Sequence, residues 1–492
     1  MGVQASAVSR VTGVEVSFKN FNIGRAQKLP QRVAIIGVGN DDADYSLDKF
    51  EIEGNASDVG DRYGYGSPLH LAALQFYPQI GKTAEFPVTC YPLAKANGSA
   101  PAEGAIEAYG TAEKNGSGQV TIGGQKALFV IPKGTNAETA LETIKNAINS
   151  VLNMPVRTGT VSDDSLSLIS KWSGDSSNRI KIKIKANVPG ITFSITGMAD
   201  GALDPEVSPG LQKIGIVWET QVLNTLDYAD QDRLDTYQLW AEGRRGPEEK
   251  KMVCVCHGCT DPLAVRTAIT NIREYDSSNY FIVSVNSDEL PFVVAAKGMV
   301  DDVVTTANRN PACGYKGRLT GLHCGDDDQQ ENFTQRNSSV NKGSSTNLKT
   351  GNVAELCDII TFYHPGNEGK FPSYRYVVDM VKLQNIVFNV RLIMEAEELK
   401  GAPLVPDNTP TSNPAAVSPK VIKGWFINLA NSLADEALIS DPEFTKRNLK
   451  VWIDTENPKR VNVLFPVKLS GNVEISSTDV YFGFYLGDAA AA

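Results

Sequence analysis

The 492-residue sequence predicts an α/β core in which a sheet is flanked by helices, together with an inserted β-rich domain, an α+β C-terminal domain and extended terminal arms. Three observations predict this fold class. Continuous apolar runs alternate with helical patterns on both sides of residues 94–204. Within 94–204, Gly, Ser, Asn and Thr become frequent and short β-like runs appear. After a Pro-rich linker at 401–419, an amphipathic helix leads into two apolar runs separated by the turn sequence ENPKR.

The core begins with RVAIIG at 32–37, a continuous apolar run that is typical of a strand buried on both faces. Ser67 followed by Pro68 predicts the start of a helix, because serine caps helix N-termini and proline suits the first helical position. Further strands are predicted at the apolar runs FPVTCYPL, KIGIVW, KMVCVC and NYFIVSV, with helices between the last three and a long helix over 290–307. This alternation predicts a mostly parallel sheet that is covered on both faces.

The remaining segments complete the domain organisation. The insertion contains one helix with apolar residues at helical spacing: Ala137, Leu141, Ile144, Ile148 and Leu152. Residues 325–351 are polar and predict a mobile loop or an extended arm, 354–366 a short helix and a strand, and 375–399 a long amphipathic helix. The predicted boundaries are an N-terminal arm at 1–30, the core at 31–93 and 205–365, the inserted domain at 94–204, the C-terminal domain at 366–470 and a C-terminal arm at 471–492.

Both ends of the chain carry an alternating apolar pattern that predicts a strand. Near the N-terminus, the pattern places Val14, Val16 and Phe18 on one face. Near the C-terminus, one face of the run 474–486 consists of these residues: Val480, Phe482, Phe484 and Leu486. Neither strand has a neighbouring partner in the sequence, and an exposed apolar strand invites pairing with another chain. We therefore expect these residues to form inter-subunit strand arms.

Charge and motifs argue against several classes of function. The net charge of -10 disfavours duplex DNA as a partner, and no apolar run approaches the ~20 residues that insertion across a membrane needs. Gly37 and Gly39 form half of a dinucleotide fingerprint, but Asp42 stands where the third glycine belongs. The sequence contains no phosphate-binding GK[ST], no HExxH and no nucleophile elbow. We expect no catalytic residue, no cofactor and no enzyme activity.

The cluster of Cys254, Cys256, His257 and Cys259 has residue types that bind zinc or copper, but its spacing does not fit a zinc finger. We interpret Cys254 and Cys256 as core thiols of a strand, with His257 and Cys259 in the loop that follows, and predict no metal site. The chain has an odd total of seven cysteines. The sequence leaves open disulfides, including disulfides between subunits, from three cysteines predicted to lie in loops: Cys259, Cys313 and Cys324.

The order of these motifs resembles that of the contractile tail sheath proteins of bacteriophages, a family shared with R-type pyocins and type VI secretion sheaths. RVAIIGVG matches the first core strand of the family, and DRYGYGSPLHLAALQFYP its glycine-rich turn and helix, with Tyr63 and Gly64 in place of the usual Phe-Gly. NLKVWIDTENPKRVNVLFPVKLSGNVEISSTDVYF resembles the closing signature. The polar segment 325–351 and the number of cysteines depart from the usual pattern.

The resemblance implies a non-enzymatic structural subunit of a contractile tail sheath. Such subunits form stacked hexameric rings around an inner tail tube, and contraction from a metastable extended state drives the tube through the host envelope. The implied partners are copies of the same chain, the tail tube protein, and baseplate and tail terminator proteins, with no nucleic acid and no direct membrane insertion. The implied location is the virion tail, assembled in the host cytoplasm. The resemblance also implies that the terminal arms complete a sheet in a neighbour's C-terminal domain. It implies that this domain faces the tube and that the inserted domain faces outward. The alternatives are another tail or baseplate component and an α/β enzyme.

Overall fold

The computed structural model describes residues 24–162, 164–366, 374–474 and 476–480. In chain order the strands are β1 Val33–Gly37, β2 Phe50–Glu51, β3 Val88–Pro92, β4 Pro101–Gly110, β5 Gly116–Ile122, β6 Gln125–Ile131, β7 Val156–Ser162, β8 Ser165–Ser173, β9 Ile182–Asn187, β10 Ile191–Ala199, β11 Gln221–Asn224, β12 Cys254–Cys259, β13 Asn279–Val283, β14 Thr346–Thr350, β15 Val353–Cys357, β16 Lys450–Ile453 and β17 Val461–Leu464. The α-helices are α1 Ser57–Tyr63, α2 Pro68–Phe76, α3 Ala137–Asn149, α4 Ser208–Ile214, α5 Gln231–Arg245, α6 Leu263–Thr270, α7 Pro291–Gly298, α8 Val304–Arg309, α9 Phe333–Asn341, α10 Val377–Met394, α11 Pro419–Asp435 and α12 Pro442–Asn448.

The central sheet has the strand order β13-β12-β11-β1-β3-β2. All of its pairings are parallel except that of β2 with β3, so the predicted mostly parallel sheet is confirmed. Every residue of β1 is buried, as the continuous apolar run predicted. Ser67 caps α2 by accepting a hydrogen bond from the His70 backbone N–H, also as predicted. A π-helical turn, Met299–Val303, joins α7 to α8, so the predicted long helix is one nearly continuous element.

The insertion forms two antiparallel sheets, with orders β10-β4-β8-β7 and β6-β5-β9, together with α3. Its apolar core is continuous with that of the central sheet. At the junction, the Trp172 ring of β8 meets the Phe292 ring of α7 edge to face, with the ring centroids 6.4 Å apart. The predicted place of Leu152 on the apolar face of α3 is wrong, because the helix ends at Asn149 and Leu152 is 61% exposed.

A second hydrophobic core lies in the C-terminal part of the chain, between α11 and the β16–β17 hairpin. Helix α10 contributes to both cores. Val377 and Met380 in its first turns belong to the core of the central sheet. Ile386 and Ile393 farther along belong to the C-terminal core. The single helix α10 therefore connects the two packed units mechanically.

The prediction of a strand at KIGIVW, residues 213–218, is wrong. The chain instead forms α4, which begins at Ser208 with a proline in its first turn and ends at Ile214. The buried residues Val207, Leu211 and Ile214 lie four and three positions apart, which is the spacing of one helical face. The strand that neighbours β1 is instead β11, which starts at Gln221 and pairs with β1 on one side and β12 on the other.

The prediction of a mobile loop or extended arm at 325–351 is also wrong. This segment contains α9 and β14, and β14 pairs antiparallel with β15. The pairing also removes the short helix predicted at the start of 354–366, because Val353–Cys357 is the second strand of the hairpin. Asn332 and Gln335 form a reciprocal capping box at the start of α9, a local helix signal inside a polar segment.

The polar segment folds around the guanidinium group of Arg266, whose side chain is fully buried. Arg266 donates hydrogen bonds to the hydroxyls of Ser344 at 2.7 Å and Ser339 at 2.9 Å. It also forms an ion pair with Glu331, whose carboxylate lies 2.8 Å away and is almost fully buried. A charged group thus organises a region that has few apolar side chains.

Glu289 lies buried at the junction of the insertion and the central unit. Its carboxylate packs on Gly124 in the β5–β6 turn so closely that a Cβ there would lie 1.6 Å from one carboxylate oxygen. Its other oxygen accepts a long hydrogen bond, 3.4 Å, from the His323 backbone N–H. Burial, reinforced by the neighbouring Asp288 carboxylate, raises the pKa of Glu289 to about 7.

The raised pKa of Glu289 predicts a pH-dependent stability. Because the folded state favours the protonated carboxyl, this stabilisation is complete below the ordinary carboxyl pKa and is lost as the pH rises through about 7. The free energy of unfolding, obtained from thermal unfolding, should therefore fall by up to about 3 kcal/mol between pH 5 and pH 8. Glu289→Gln should flatten this pH profile, whereas Glu113→Gln, at an exposed position, should leave it unchanged. An unchanged slope in Glu289→Gln would contradict the prediction.

Candidate functional site, an open two-stranded sheet and the anchors of the terminal segments

The hairpin of β16 and β17 is a two-stranded antiparallel sheet in which Val451 faces Val463 and Ile453 faces Val461. The Asp454 N–H donates to the carbonyl of the residue opposite it, at 2.9 Å. Hydrogen-bonded and non-hydrogen-bonded pairs alternate in such a ladder, so the four valine and isoleucine residues direct their backbone groups toward the two outer edges. Within the described ranges these edges have no backbone partner. Each edge can therefore accept another strand.

The two faces of the hairpin differ. The inner face packs on the C-terminal core, where the rings of Phe426 and Phe465 meet at 5.2 Å. The outer face carries two large apolar side chains, Trp452 at 43% and Leu464 at 49% exposure. Because an isolated two-stranded sheet is marginally stable in water, added strands would stabilise this element as well as satisfy its edges.

Two asparagines of α10 anchor the N-terminal segment. The Asn389 amide both accepts from the Gln27 N–H, at 2.7 Å, and donates to the Gln27 carbonyl, at 2.8 Å. One turn earlier, Asn385 accepts from the Leu29 N–H at 2.8 Å. Residues four apart lie on the same face of a helix. This face of α10 thus holds the extended backbone that leads back to residues 1–23.

Lys382, on the same helix, anchors the C-terminal segment. Its side chain is fully buried, and its ammonium group donates to the Ser470 carbonyl at 2.6 Å and the Asn472 side-chain oxygen at 2.7 Å. The Asp379 carboxylate lies 3.0 Å from the Lys382 ammonium group and balances its positive charge. Burial and the neighbouring carboxylates raise the pKa of Glu474 just beyond the anchor. Residues 476–480, which follow this anchor, are exposed.

Helix α10 is also hydrogen-bonded to the backbone that leads into the central sheet. The Gln384 amide donates to the carbonyls of Thr220, at 3.1 Å, and Met252, at 3.2 Å, just before β11 and β12. One helix therefore fixes both terminal segments relative to the central sheet. Sequence reasoning missed these anchors, although the signal was present: polar residues three and four positions apart interrupt an otherwise apolar helix, namely Lys382, Asn385 and Asn389.

Most of the predicted strand-arm residues lie outside the described residues: Val14, Val16, Phe18, Phe482, Phe484 and Leu486. Val480 is described, is 76% exposed and belongs to no strand. The inter-subunit strand arms therefore stay a prediction, while their starting points at Gln27 and Asn472 are structurally defined.

All seven cysteines are free thiols. The predicted loop position of His257 and Cys259 is wrong, because β12 continues through both residues and pairs them with β13. Cys259 is fully buried, and burial raises its pKa to about 11. Cys324 is also buried, whereas Cys313 is exposed. Disulfides from these three cysteines stay a prediction, and of the three only Cys313 is an exposed residue.

His257 is a core histidine whose two ring nitrogens are both hydrogen-bonded. Nδ1 lies 3.1 Å from the Asn224 amide nitrogen, and Nε2 lies 2.9 Å from the Asn279 amide oxygen. A neutral ring with its proton on Nε2 satisfies both contacts, and burial lowers the pKa of His257 to about 4. Across the described part of the chain, no three His, Cys, Asp or Glu side chains are arranged to hold a metal ion.

The carboxyl ends of β11 and β12, where open α/β sheets commonly bind ligands, are occupied by Arg179 of the insertion. Its guanidinium group pairs with Asp227 at 3.0 Å and Asp261 at 2.9 Å. It also stacks over the Tyr228 ring, 4.6 Å from the centroid. This edge of the sheet thus serves to attach the insertion.

A sequence comparison finds a relative that matches most of this chain. The chain is 23% identical over 400 residues to the Mu-like prophage FluMu tail sheath protein of Haemophilus influenzae, covering 80% of this chain and 81% of that one. The chain is related to the phage tail sheath proteins. No protein-family model matches it.

Two crystal structures of sheath tail proteins were also found. The one from Desulfitobacterium hafniense is 14% identical, with a TM-score of 0.49 over 94% of this chain and 98% of that chain. The one from Listeria innocua is 12% identical, with a TM-score of 0.48 over 92% and 94%. Both TM-scores fall below one half, so the relationship rests on the Haemophilus sequence. Among the described helices, none has the length and apolar character needed to span a membrane.

Proposed function

We propose that this chain is the structural subunit of a contractile tail sheath. Its copies polymerise as stacked hexameric rings around an inner tail tube, and the sheath contracts from a metastable extended state to drive the tube through the host envelope. Baseplate and tail terminator proteins bound the polymer at its ends. The subunits assemble in the host cytoplasm and function in the virion tail without catalysis.

One observation carries the proposal: the same chain contains a sheet that can receive an added strand and terminal segments that can donate one. The receptor is the β16–β17 sheet, whose two edges have no backbone partner within the described ranges. The donors are the two terminal segments, held by α10 up to Gln27 and from Ser470. Strand addition joins subunits through backbone hydrogen bonds, and a contact between different surfaces of identical subunits propagates into a helical polymer.

The proposed links also suit contraction. As the predicted extended arms, the terminal segments would keep two subunits joined while the packed units rotate relative to each other. Large rearrangements of assemblies commonly proceed by rigid-body movement of packed units about such connections. The predicted outward position of 94–204 and the tube-facing position of 366–470 complete the proposed arrangement.

Electron microscopy of the purified chain tests the proposal. The full chain should form helical tubes, whereas variants lacking residues 1–19 or the residues after Gly471 should remain folded by circular dichroism and fail to polymerise. Each truncation removes a donor strand and leaves both packed cores intact. Normal tubes from either truncated chain would refute the strand-arm mechanism, and a small oligomer from the full chain would refute the sheath assignment.

A further inference from the structure

The three-stranded sheet β6-β5-β9 of the insertion has an exposed outer face with an apolar edge. The side chains of the edge strand β6 alternate between buried and exposed. Its exposed side includes Leu128 at 74% and Val130 at 66% exposure. The cross-strand neighbours of these two residues on β5 and β9 are polar: Gln119 and Lys185 in the row of Leu128, and Ser117 and Asn187 in the row of Val130. Two large apolar side chains therefore border a polar surface.

Positive charge surrounds this apolar edge. Four exposed lysines of the sheet and its adjoining turns form no ion pair among the described residues: Lys114, Lys126, Lys133 and Lys185. Lys183, a neighbour of Lys185 on β9, does pair, with the Asp288 carboxylate at 2.5 Å. None of the three strands contains an aspartate or a glutamate. This outer side of the sheet, the lysine face, is thus locally positive in a chain whose net charge is -10.

The central unit has an open hollow of the opposite charge, about 640 Å³ in volume, beside β2 and α1. Four exposed carboxylates line this acidic hollow: Asp44, Glu53, Asp58 and Asp61. The ion pairs in this region of the described chain use other carboxylates, those of Asp41, Asp42 and Glu51. The Phe50 ring adds an apolar part to the lining, and the Arg62 guanidinium group stacks 4.4 Å from its centroid. The acidic hollow therefore keeps a net negative charge.

The lysine face and the acidic hollow match as the two sides of an interface do. Protein interfaces commonly have an apolar centre and a polar rim, and complementary charges determine which surfaces associate. Leu128 supplies an apolar side chain on one surface and Phe50 on the other, while lysines on one rim complement carboxylates on the other. Within the described chain the two surfaces form no ion pair with each other. The partner that fits each surface is therefore a second copy of this chain.

We propose that the lysine face of one copy docks on the acidic hollow of a second copy, with Leu128 against Phe50. The contact joins two different surfaces, so it can repeat from copy to copy in a ring or a helix. It goes beyond the strand arms of the proposed function, because it uses the insertion and the central unit and needs neither terminal segment. Salt should weaken it, since the pairing is between exposed charges.

Cross-linking of isotopically mixed chains tests the contact. Full-length chains labelled with heavy nitrogen are mixed with unlabelled chains before assembly and treated with a carbodiimide, which joins a lysine directly to a carboxylate that it contacts. Mass spectrometry should find peptides that join Lys126 or Lys185 to Asp58 or Asp61, with one labelled and one unlabelled partner. If such links are absent, or join only chains of the same isotope, the proposal is wrong.

Charge reversal tests the recognition. Lys126→Glu with Lys185→Glu should lower the yield of links between the lysine face and the acidic hollow about tenfold, and Asp58→Lys with Asp61→Lys should do the same, because each variant opposes like charges. A mixture of the two variants should recover most of the yield, since the reversed face of one complements the reversed hollow of the other. A mixture that recovers nothing would contradict recognition by charge.

The matched control is Lys145→Glu with Lys400→Glu, which reverses two lysines that each pair with a glutamate three positions away. It should leave the yield unchanged, and a loss as large as that of the face variant would show that net charge alone decides. Failure of the docking and failure of the sheath are distinguishable. Tubes without mixed-isotope links would overturn the docking alone, whereas mixed-isotope links from chains that form no tubes would support the docking and contradict the sheath.

Discussion

Replacement of Arg266 by leucine is expected to lower the free energy of unfolding by about 3–5 kcal/mol, which is typical of breaking a buried ion pair. The guanidinium group is fully buried, forms an ion pair with Glu331 and donates hydrogen bonds to the hydroxyls of Ser339 and Ser344. Leucine would leave the buried Glu331 carboxylate without its counter-charge and two hydroxyls without their donor. Thermal and denaturant unfolding of the assembly-incompetent truncated chain measure the change without interference from polymerisation.

The matched control is Arg157→Leu. Arg157 is a half-exposed arginine whose nearest carboxylate, Asp42, lies 4.0 Å away, so its replacement should cost less than about 1 kcal/mol. A second variant combines Arg266→Leu with Glu331→Leu and should recover part of the stability, because it removes the uncompensated charge. Equal losses in Arg266→Leu and Arg157→Leu would show that the buried pair does not organise this region.

The same arginine explains why part of the fold could not be predicted. Residues 325–351 have few apolar side chains, and pattern reasoning treats such a segment as unstructured. The segment is ordered by Arg266, which lies 78 positions before Ser344 in the chain. No local signal in 325–351 identifies that partner, apart from the capping box at Asn332 that marks the start of α9.

Elements with strong local signals were predictable. The buried strand β1, the capped helix α2 and the β16–β17 hairpin each carry their own pattern of apolar residues, caps or turn residues. The error at KIGIVW arose because four apolar residues in a short run are compatible with either a strand or the end of a helix. The helical spacing becomes apparent only when Val207 and Leu211, upstream of the run, are included.

The candidate site was only half predictable for a similar reason. The hairpin and the alternating termini are visible in the sequence, but their anchors depend on contacts between residues far apart. Asn389 holds Gln27 across 362 positions, and Lys382 holds Ser470 across 88. Polar residues on an apolar helix indicate that something is bound there. They do not identify the bound segment.

Replacement of Lys382 by methionine is expected to release the C-terminal segment while both cores stay folded. Methionine preserves the buried aliphatic stem but removes the donor to Ser470 and Asn472. A hydrogen bond to a charged group contributes about 1.5–3 kcal/mol, so local opening should become about tenfold to a hundredfold more frequent. Asp379 is partly exposed and can be solvated after the change, which keeps the effect local. Hydrogen exchange followed by mass spectrometry measures the protection of residues 468–474.

Asn389→Ala is the matched variant for the other terminus. It removes both hydrogen bonds to Gln27 and should raise exchange in residues 24–31 without affecting 468–474, whereas Lys382→Met should do the reverse. Both variants should impair tube formation, because a donor strand that leaves its subunit in a variable direction meets its receptor less often. If exchange rises at the expected terminus but tubes form normally, α10 fixes the segments without directing assembly. If each variant loosens both termini, α10 acts through the stability of the whole C-terminal unit, and the separate anchors are wrong.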